Sequence, residues 1–303
     1  MMGLWGGDYN IMKNLMQARQ KQSQKAQLKR LLHVNKKWIA SGNVPKVTVI
    51  MPVYNMQKFV SKAITSILQQ TYKKFQFIII NDGSTDNSWR KIKCFQDSRI
   101  CALNMNNRGK PASMNLGLRY SLGEYILEMD ADDWLEPDAI MRLVHALNAS
   151  PKDVGLAYAG IYLWLSENDK LVKIKAIKGT EYADKYEVLK SLQNHCPRLY
   201  RKSALQAVGG WTTSLYGKEL RADDFFLRLK LAELFRAKSV DAVLYNKRVH
   251  KSSLTGVPNP NIMNWQIKNI VKFMLEKWGG TYAPVFHTND SGFIWKLELI
   301  RKG

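Results

Sequence analysis

The sequence predicts an α/β fold built on a mostly parallel sheet flanked by helices. Three observations lead there. From Lys46 onward short apolar runs alternate with helical segments, each run closes on polar residues, and 46% apolar content over 303 residues is enough for a sizeable core. In sheets of this kind ligands bind beyond the carboxyl ends of the strands, where strand order reverses.

Residues 1–45 stand apart. Lys13, Arg19, Lys21, Lys25, Lys29, Arg30, Lys36 and Lys37, with Lys46 just beyond, face the single acid Asp8. Leu28, Leu31, Leu32, Trp38 and Ile39 recur at roughly helical spacing, while "QARQKQSQKAQ" is polar all round. This is a basic helical extension, read either as a solvated arm packed on the domain or as a surface for anionic lipid or a partner.

Strands are expected at "VTVIMPVYN", "FQFIIIND", "RICALNMN" and "EYILEMD", and helices over 58–70, 85–96, 111–122 and 137–148. The strand tips carry Tyr54 and Asn55, Asn81 and Asp82, Asn106 to Lys110, and Asp130 to Asp133, which together nominate one site. Beyond Ser150, "VGLAYAGIYLWLS" and "KLVKIKAIK" read as a hairpin or sheet extension. A helix is expected near 182–192, an amphipathic one in "ADDFFLRLKLAELF", and a helical tail from 259 containing "IMNWQIKNIVKFMLEKW".

The formal charge of +21 predicts an anionic partner without choosing among nucleic acid, membrane surface, polyanion or phosphorylated metabolite. The excess is spread along the chain with no nucleic-acid-reading motif, so nucleic acid is not expected. Cys94, Cys101 and Cys196 are too few and scattered for a zinc site or a disulfide framework, which points to a reducing, cytoplasmic setting. No window offers roughly 18 consecutive apolar residues, so membrane contact is expected to be peripheral, at the inner face.

The densest chemistry is "MDADDW". Asp130, Asp132 and Asp133 follow a buried strand and would repel one another unless a cation or a cationic partner sits among them. A pair of carboxylates flanking one residue at a strand tip suits a hard divalent cation, magnesium or manganese, completed by phosphate oxygens or water. Capping of the helix near Pro137 is the plainer alternative. Upstream, "NDGSTDNS" leads a strand through a Gly-Ser turn into a helix.

Together with "VIMPVYN" and "NNRGKPASMNLGL", these motifs resemble the large inverting glycosyltransferase family 2, whose nucleotide-sugar-binding domain has the Rossmann-like A-type glycosyltransferase fold. The resemblance runs from Lys46 to about Leu147. It implies a nucleotide-sugar-binding half over 46–150, an acceptor-binding and catalytic-base half over 151–258, and the tail over 259–303. It also implies that Pro52, Val53, Tyr54 and Asn55 form the first nucleotide-contacting loop and that Asp82 accepts from the base. An aromatic face and an acceptor-only carboxylate suit a nucleotide, and Arg108 and Lys110 beside a helix start suit a diphosphate. Asp130 and Ala131 are implied at the nucleotide, Asp130 doubling as ribose or metal-bridge carboxylate. Asp132 is implied as main metal ligand and Asp133 as donor-sugar contact.

"RADDFFLRLKL", after "LYRKSALQAVGGW", is similar to the family's later acidic signature, with Asp223 where Glu is usual. Asp224 then matches the catalytic base, with a pKa expected to rise beside Asp223 in a dry site. "NKRVHKSSLTG" resembles the closing segment near the active site, bringing His250 to the metal or diphosphate, with Arg248, Lys251, Ser253 and Thr255 beside it.

The resulting expectation is a metal-dependent, inverting transfer of a hexosyl group from a UDP-sugar, or a dTDP-sugar, to a hydroxyl acceptor. Excess positive charge suits an anionic or lipid-linked acceptor, as in cell-surface polysaccharide or glycoconjugate synthesis. The alternative is a catalytically degenerate protein that binds sugar nucleotides or acts as a scaffold. A nucleotidyltransferase would show a Gly-rich basic loop after the first strand, and "MPVYNMQKF" has no glycine; "RGKPAS" likewise lacks the spacing of a P-loop.

Overall fold

The computed structural model describes residues 5–167, 170–193, 195–215, 218–220, 222–250 and 260–303. In chain order its elements are α1 (Trp5–Ala40), β1 (Val47–Val53), α2 (Val60–Leu68), β2 (Phe75–Asp82), α3 (Ser88–Lys93), β3 (Ile100–Met105), α4 (Lys110–Tyr120) and β4 (Tyr125–Glu128). There follow β5 (Trp134–Leu135), α5 (Ala139–Asn148), β6 (Val154–Glu167), β7 (Lys170–Ile177), α6 (Lys185–Lys190), β8 (Arg198–Arg201) and α7 (Lys202–Ala207). The chain closes with β9 (Ser214–Leu215), β10 (Lys218–Glu219), α8 (Asp223–Ala232), β11 (Arg236–Val249), α9 (Pro260–Lys277), β12 (Tyr282–Thr288) and β13 (Ile294–Arg301).

One sheet runs in the order β3-β2-β1-β4-β8-β6-β11-β5, with β7 along β6. β1 is parallel to both β2 and β4, and β2 to β3, so strand order reverses at β1 and the carboxyl ends of β1 and β4 flank the switch point. The parallel pattern expected from sequence holds over these four strands. Beyond them the sheet is mixed, because β8 enters antiparallel between β4 and β6.

Every residue of β2 is buried, as a strand covered on both faces requires. Alternate residues of β1 serve opposite layers: Val47, Val49 and Met51 pack with α2 and α5, whereas Ile50 packs with α4. α4 lies flush on the sheet because Gly117 faces β1, where a Cβ would come within 2.5 Å of Ile50 Cγ2. That approach sets the height of Lys110, the first residue of α4, above the tip of β4. Pro52 is tolerated in a central strand because β4 pairs only with Val47 to Ile50.

The extension is helical, and its second half packs on the domain. Leu31 and Asn35 are buried, and Asn35 donates to the Tyr120 carbonyl at 2.9 Å while accepting from Gln76 Nε2 at 2.9 Å. Lys25, Lys29, Arg30, Lys36 and Lys37 point outward, and Leu32 and Ile39 are exposed with them. Among the described residues no helix is long and apolar enough to cross a membrane.

Two sequence expectations change. The tail beyond 259 is helical only through α9, and then forms the antiparallel hairpin β12–β13, as the alternating apolar residues on either side of "NDSG" dictate. Residues 236–249, for which the sequence pattern suggests no element, form the long strand β11. It lies parallel to β6 and carries Arg248 toward the carboxylate cluster.

Candidate active site

The carboxyl ends of β1, β2 and β4 bring the expected residues into one region. Asn55, at φ 53°, occupies the left-handed conformation that asparagine tolerates, and its side chain accepts from Thr85 N at 2.8 Å. Its own N–H donates to Ser84 Oγ at 3.0 Å, so the loops after β1 and β2 are tied together. Tyr54 beside it is exposed and offers an open ring face, while the Val53 side chain is buried, leaving only its backbone for a ligand.

Asp82 is 3% exposed and accepts the backbone N–H groups of Arg108 at 3.0 Å and Gly109 at 2.9 Å. It therefore clamps the loop before α4 against the tip of β2, with further lone pairs left on each oxygen. Gly83 makes the approach possible: at φ +74° a Cβ would sit 2.7 Å from Asn107 N. Arg108 is exposed on this loop.

The three acids at the tip of β4 each meet a different protein group. Asp130 Oδ1 takes Lys110 Nζ at 2.6 Å. Asp132 Oδ2 lies 3.2 Å from His250 Nε2. Asp133, expected at the donor sugar, is 3% exposed and accepts the Arg248 backbone N–H at 2.7 Å, which fixes β11 to the turn. Burial, then Asp132 and Asp130, push the Asp133 carboxyl well above the usual range. Burial would also raise Asp130, but the Lys110 ammonium outweighs it and holds that carboxyl low. Ala131 is buried between them. Arg248 donates through Nε to the Asp132 carbonyl at 2.9 Å and lies over the rings of Phe59 and Trp134. Arg221, Lys251, Ser253 and Thr255 lie outside the described residues.

The test of the metal expectation is the donor set. Among the described residues no group of three or more His, Cys, Asp or Glu converges on one point. Asp130 is held by Lys110, so the expected trio of Asp130, Asp132 and His250 reduces to two. Asp132 Oδ2 and His250 Nε2 lie within hydrogen-bonding distance at 3.2 Å, and as one oxygen and one nitrogen donor they are compatible with a divalent cation that takes its other ligands from phosphate oxygens and water.

α8 supplies the second acidic pair. Burial pushes the Asp223 carboxyl up to about 8 against the pull of Lys110, with Asp224 and Glu128 adding to the rise, and its Oδ2 has no hydrogen-bond partner among the described residues. Asp224 behaves oppositely. Burial would raise it, but the Arg198 guanidinium, 3.2 Å from Oδ2, holds it well below the usual carboxylate range. The expectation of a raised pKa at Asp224 is thus reversed, because the charge that acts on it most is a buried arginine rather than a second carboxylate.

Two residues that sequence reasoning missed join these groups. Glu128, the last residue of β4, is 2.9 Å from Lys110 Nζ and 3.0 Å from Arg198 Nη2, and accepts from Tyr200 OH at 3.1 Å. Arg198 opens β8, directly across from Glu128 in the antiparallel ladder. The signal was a carboxylate inside the apolar run "EYILEMD" and an arginine in the short strand "RLYR". Asp130, Lys110, Glu128, Arg198 and Asp224 thereby form one continuous chain of opposite charges.

Residues 48–209 match the profile of Glycosyl transferase family 2. The chain is 30% identical over 223 residues to Glycosyltransferase GlyA of Streptococcus pneumoniae serotype 4, an alignment covering 70% of this chain and 32% of that protein. The chain thus spans about a third of that relative's length. Among solved structures it resembles residues 1–349 of S. aureus TarS in complex with UDP, with TM-score 0.57 and 18% identity over 76% of this chain and 65% of that one. It also resembles the mannosyltransferase PcManGT of Pyrobaculum calidifontis in complex with GDP-Man and Mn2+, with TM-score 0.51 and 17% identity over 87% and 88% of the two chains.

Proposed function

The chain belongs to glycosyl transferase family 2, and from that premise we propose that it transfers a glycosyl group, with inversion, from a uridine diphosphate sugar to a hydroxyl acceptor. The observation that carries this reading is the charge chain from Asp130 through Lys110, Glu128 and Arg198 to Asp224. It ties a lysine that keeps one donor for the leaving diphosphate to an ionised carboxylate that can take the acceptor's proton.

On the donor side, Tyr54 offers a face to the base, and Asp82 an acceptor for its imino group beside the loop it clamps. Arg108 is exposed, and Lys110, with two of its donors on Glu128 and Asp130, keeps a third for a phosphate oxygen. Asp132 and His250 would hold a divalent cation. When bound, such a cation supplies Lewis-acid stabilisation of the charge on the departing diphosphate.

Asp224 is ionised across the neutral range and needs no prior deprotonation to act as general base. General-base help contributes on the order of a hundred- to ten-thousand-fold when the base's pKa lies near the working pH, and a carboxylate held low by Arg198 falls toward the bottom of that range. Asp223, neutral below about pH 8, adds no second charge against it. Attack opposite the diphosphate inverts the anomeric centre in one displacement without a covalent sugar intermediate. The +21 charge and the outward basic face of α1 support an anionic or lipid-linked acceptor and peripheral docking on an anionic membrane.

The test is calorimetric titration with UDP, dTDP, GDP and CDP, with manganese and then with chelator, followed by transfer assays on Asp132→Asn and Asp224→Asn. We expect metal-dependent binding of the uridine nucleotide, lost in Asp132→Asn. Asp224→Asn is expected to bind donor normally and to lose transfer. Folded protein that binds none of the four nucleotides would overturn the reading.

A further inference from the structure

One turn along α8 from Asp224 a cavity of about 440 Å³ opens between α8, the start of α6 and the first residues of β6. Its size is that of a small-molecule site. Of the charge chain only Arg198 is in its wall, and none of the residues proposed to bind the donor lines it. Rings line it: Tyr158, Tyr182, Tyr186, Phe235 and His195, the last stacked on Tyr158 at 4.7 Å between ring centroids and bonded to the Tyr182 hydroxyl. Burial, with Arg228 and Arg198 nearby, lowers His195 to about 4, so the imidazole is neutral at pH 7.

The acids in the wall are matched, Lys185 lies over the rings of Tyr186 and Trp278, and one cation is left with unmet donors. Asp153 holds Arg236 at 2.7 Å, Glu233 holds Lys277 at 2.6 Å, and Asp184 accepts the N–H groups of Tyr186 and Glu187 at 2.8 Å. Arg198 pairs with Glu128 and Asp224. Arg228 remains. It is 6% exposed, it lines the cavity, and neither its Nε nor its Nη1 has a hydrogen-bond partner among the described residues. Asp224 is the acid that acts on it most, and Arg198 already holds that carboxylate, so an anion against the part of Arg228 that faces the cavity would offset a largely buried charge. The aromatic walls select against a fully hydrated inorganic ion and favour an anion carried on a ring, which can lie flat against tyrosine.

We propose that this cavity binds a small organic anion, a carboxylate borne on a ring, with the carboxylate on Arg228 and the ring against Tyr158, Tyr182 and Phe235. The ring can be a sugar acid or an aromatic acid, and the two are told apart by the probes. The 303-residue chain, without nucleotide, is titrated calorimetrically with glucuronate and with 4-hydroxybenzoate, against inorganic phosphate and glucose as charge-only and ring-only controls.

At least one ring carboxylate is expected to bind about tenfold or more tightly than either control. Which one does so identifies the ring. Arg228→Gln is expected to abolish that preference. Should this variant fold poorly, Ala183→Trp, at the exposed rim, blocks the mouth without disturbing the core, and it must weaken binding too. The proposal is overturned if neither ring carboxylate saturates, if phosphate or glucose binds as tightly, or if both variants bind like the unaltered protein. Donor binding is measured separately with UDP, so failure at this cavity is distinguishable from failure at the donor site.

Discussion

Arg198 and Asp224 meet at 3.2 Å although they lie on β8 and α8, and Arg198, 1% exposed, bridges from there to Glu128 at 3.0 Å. One guanidinium thus fixes the last residue of a central strand and the first turn of the helix that carries the proposed base. Burying such a cation costs free energy that only good pairing offsets, which makes its removal severe for the carboxylates left behind.

Replacing Arg198 with Met is expected to destabilise the fold by about 3 kcal/mol, the lower part of the range for breaking a buried pair, because Glu128 keeps Lys110 and Tyr200. Urea denaturation measures the loss. The double variant Arg198→Met with Glu128→Gln should be less destabilised than the sum of the two single changes, since each removes the other's partner. Strict additivity would mean that the two side chains do not interact.

Asp223 and Asp224 give opposite dependences on pH. With its folded pKa raised to about 8, Asp223 holds a proton in the folded state that the unfolded chain gives up near pH 4. Its contribution to stability is therefore present in full below pH 4 and is lost as pH rises to 8, at a limiting slope of about 1.4 kcal/mol per pH unit. Asp224, held low by Arg198, contributes stability that is present above pH 4 and lost only on acidification below it. Asp223→Asn mimics the protonated carboxyl and is expected to flatten the stability profile between pH 5 and 8. A variant whose profile runs parallel to that of the unaltered protein would refute the raised pKa.

Gly83→Ala tests the clamp made by Asp82. A Cβ at φ +74° is strained and would meet Asn107 N at 2.7 Å, so the loop holding Arg108 must retreat. The expected cost is about 1–3 kcal/mol of stability, as for a residue forced into a sparsely populated conformation. Nucleotide affinity should fall with it, because the Asp82 bonds to Arg108 and Gly109 lengthen. Unchanged affinity in calorimetry would separate this loop from the donor site.

What the sequence made legible was local. Asp130, Asp132 and Asp133 are neighbours in the chain, as are Asp223 and Asp224, and the strand tips that carry Asn55, Asp82 and Lys110 follow from apolar runs ending in polar residues. Glu128 and Arg198 were not legible, because they become partners only through the antiparallel register of β4 with β8, which no local pattern encodes. The same holds for the electrostatics. Adjacency suggested that Asp223 would raise Asp224, whereas the charge that acts most on Asp224 comes from an arginine 26 residues away. The role of α1 was half legible: its basic character is compositional and Leu31 stands in the apolar pattern, but its attachment rests also on Asn35 and Gln27, polar residues that a hydrophobic pattern passes over.

That attachment decides how membrane docking must be tested. Deleting residues 1–40 would remove Leu31 and Asn35 from the face of the sheet and so confound docking with unfolding. Lys29, Arg30, Lys36 and Lys37 are all exposed on α1, and changing them to Gln leaves the packed face untouched. Each basic residue near an anionic surface is worth about 1 kcal/mol, so the fourfold variant should bind phosphatidylserine vesicles at least a hundredfold more weakly, by roughly 4 kcal/mol at the limit. Binding to neutral vesicles should be weak for both proteins, and raised salt should erase the difference between them as screening shortens the reach of the charges. Equal sedimentation of the two proteins with anionic vesicles would assign the basic face of α1 to a role other than membrane docking.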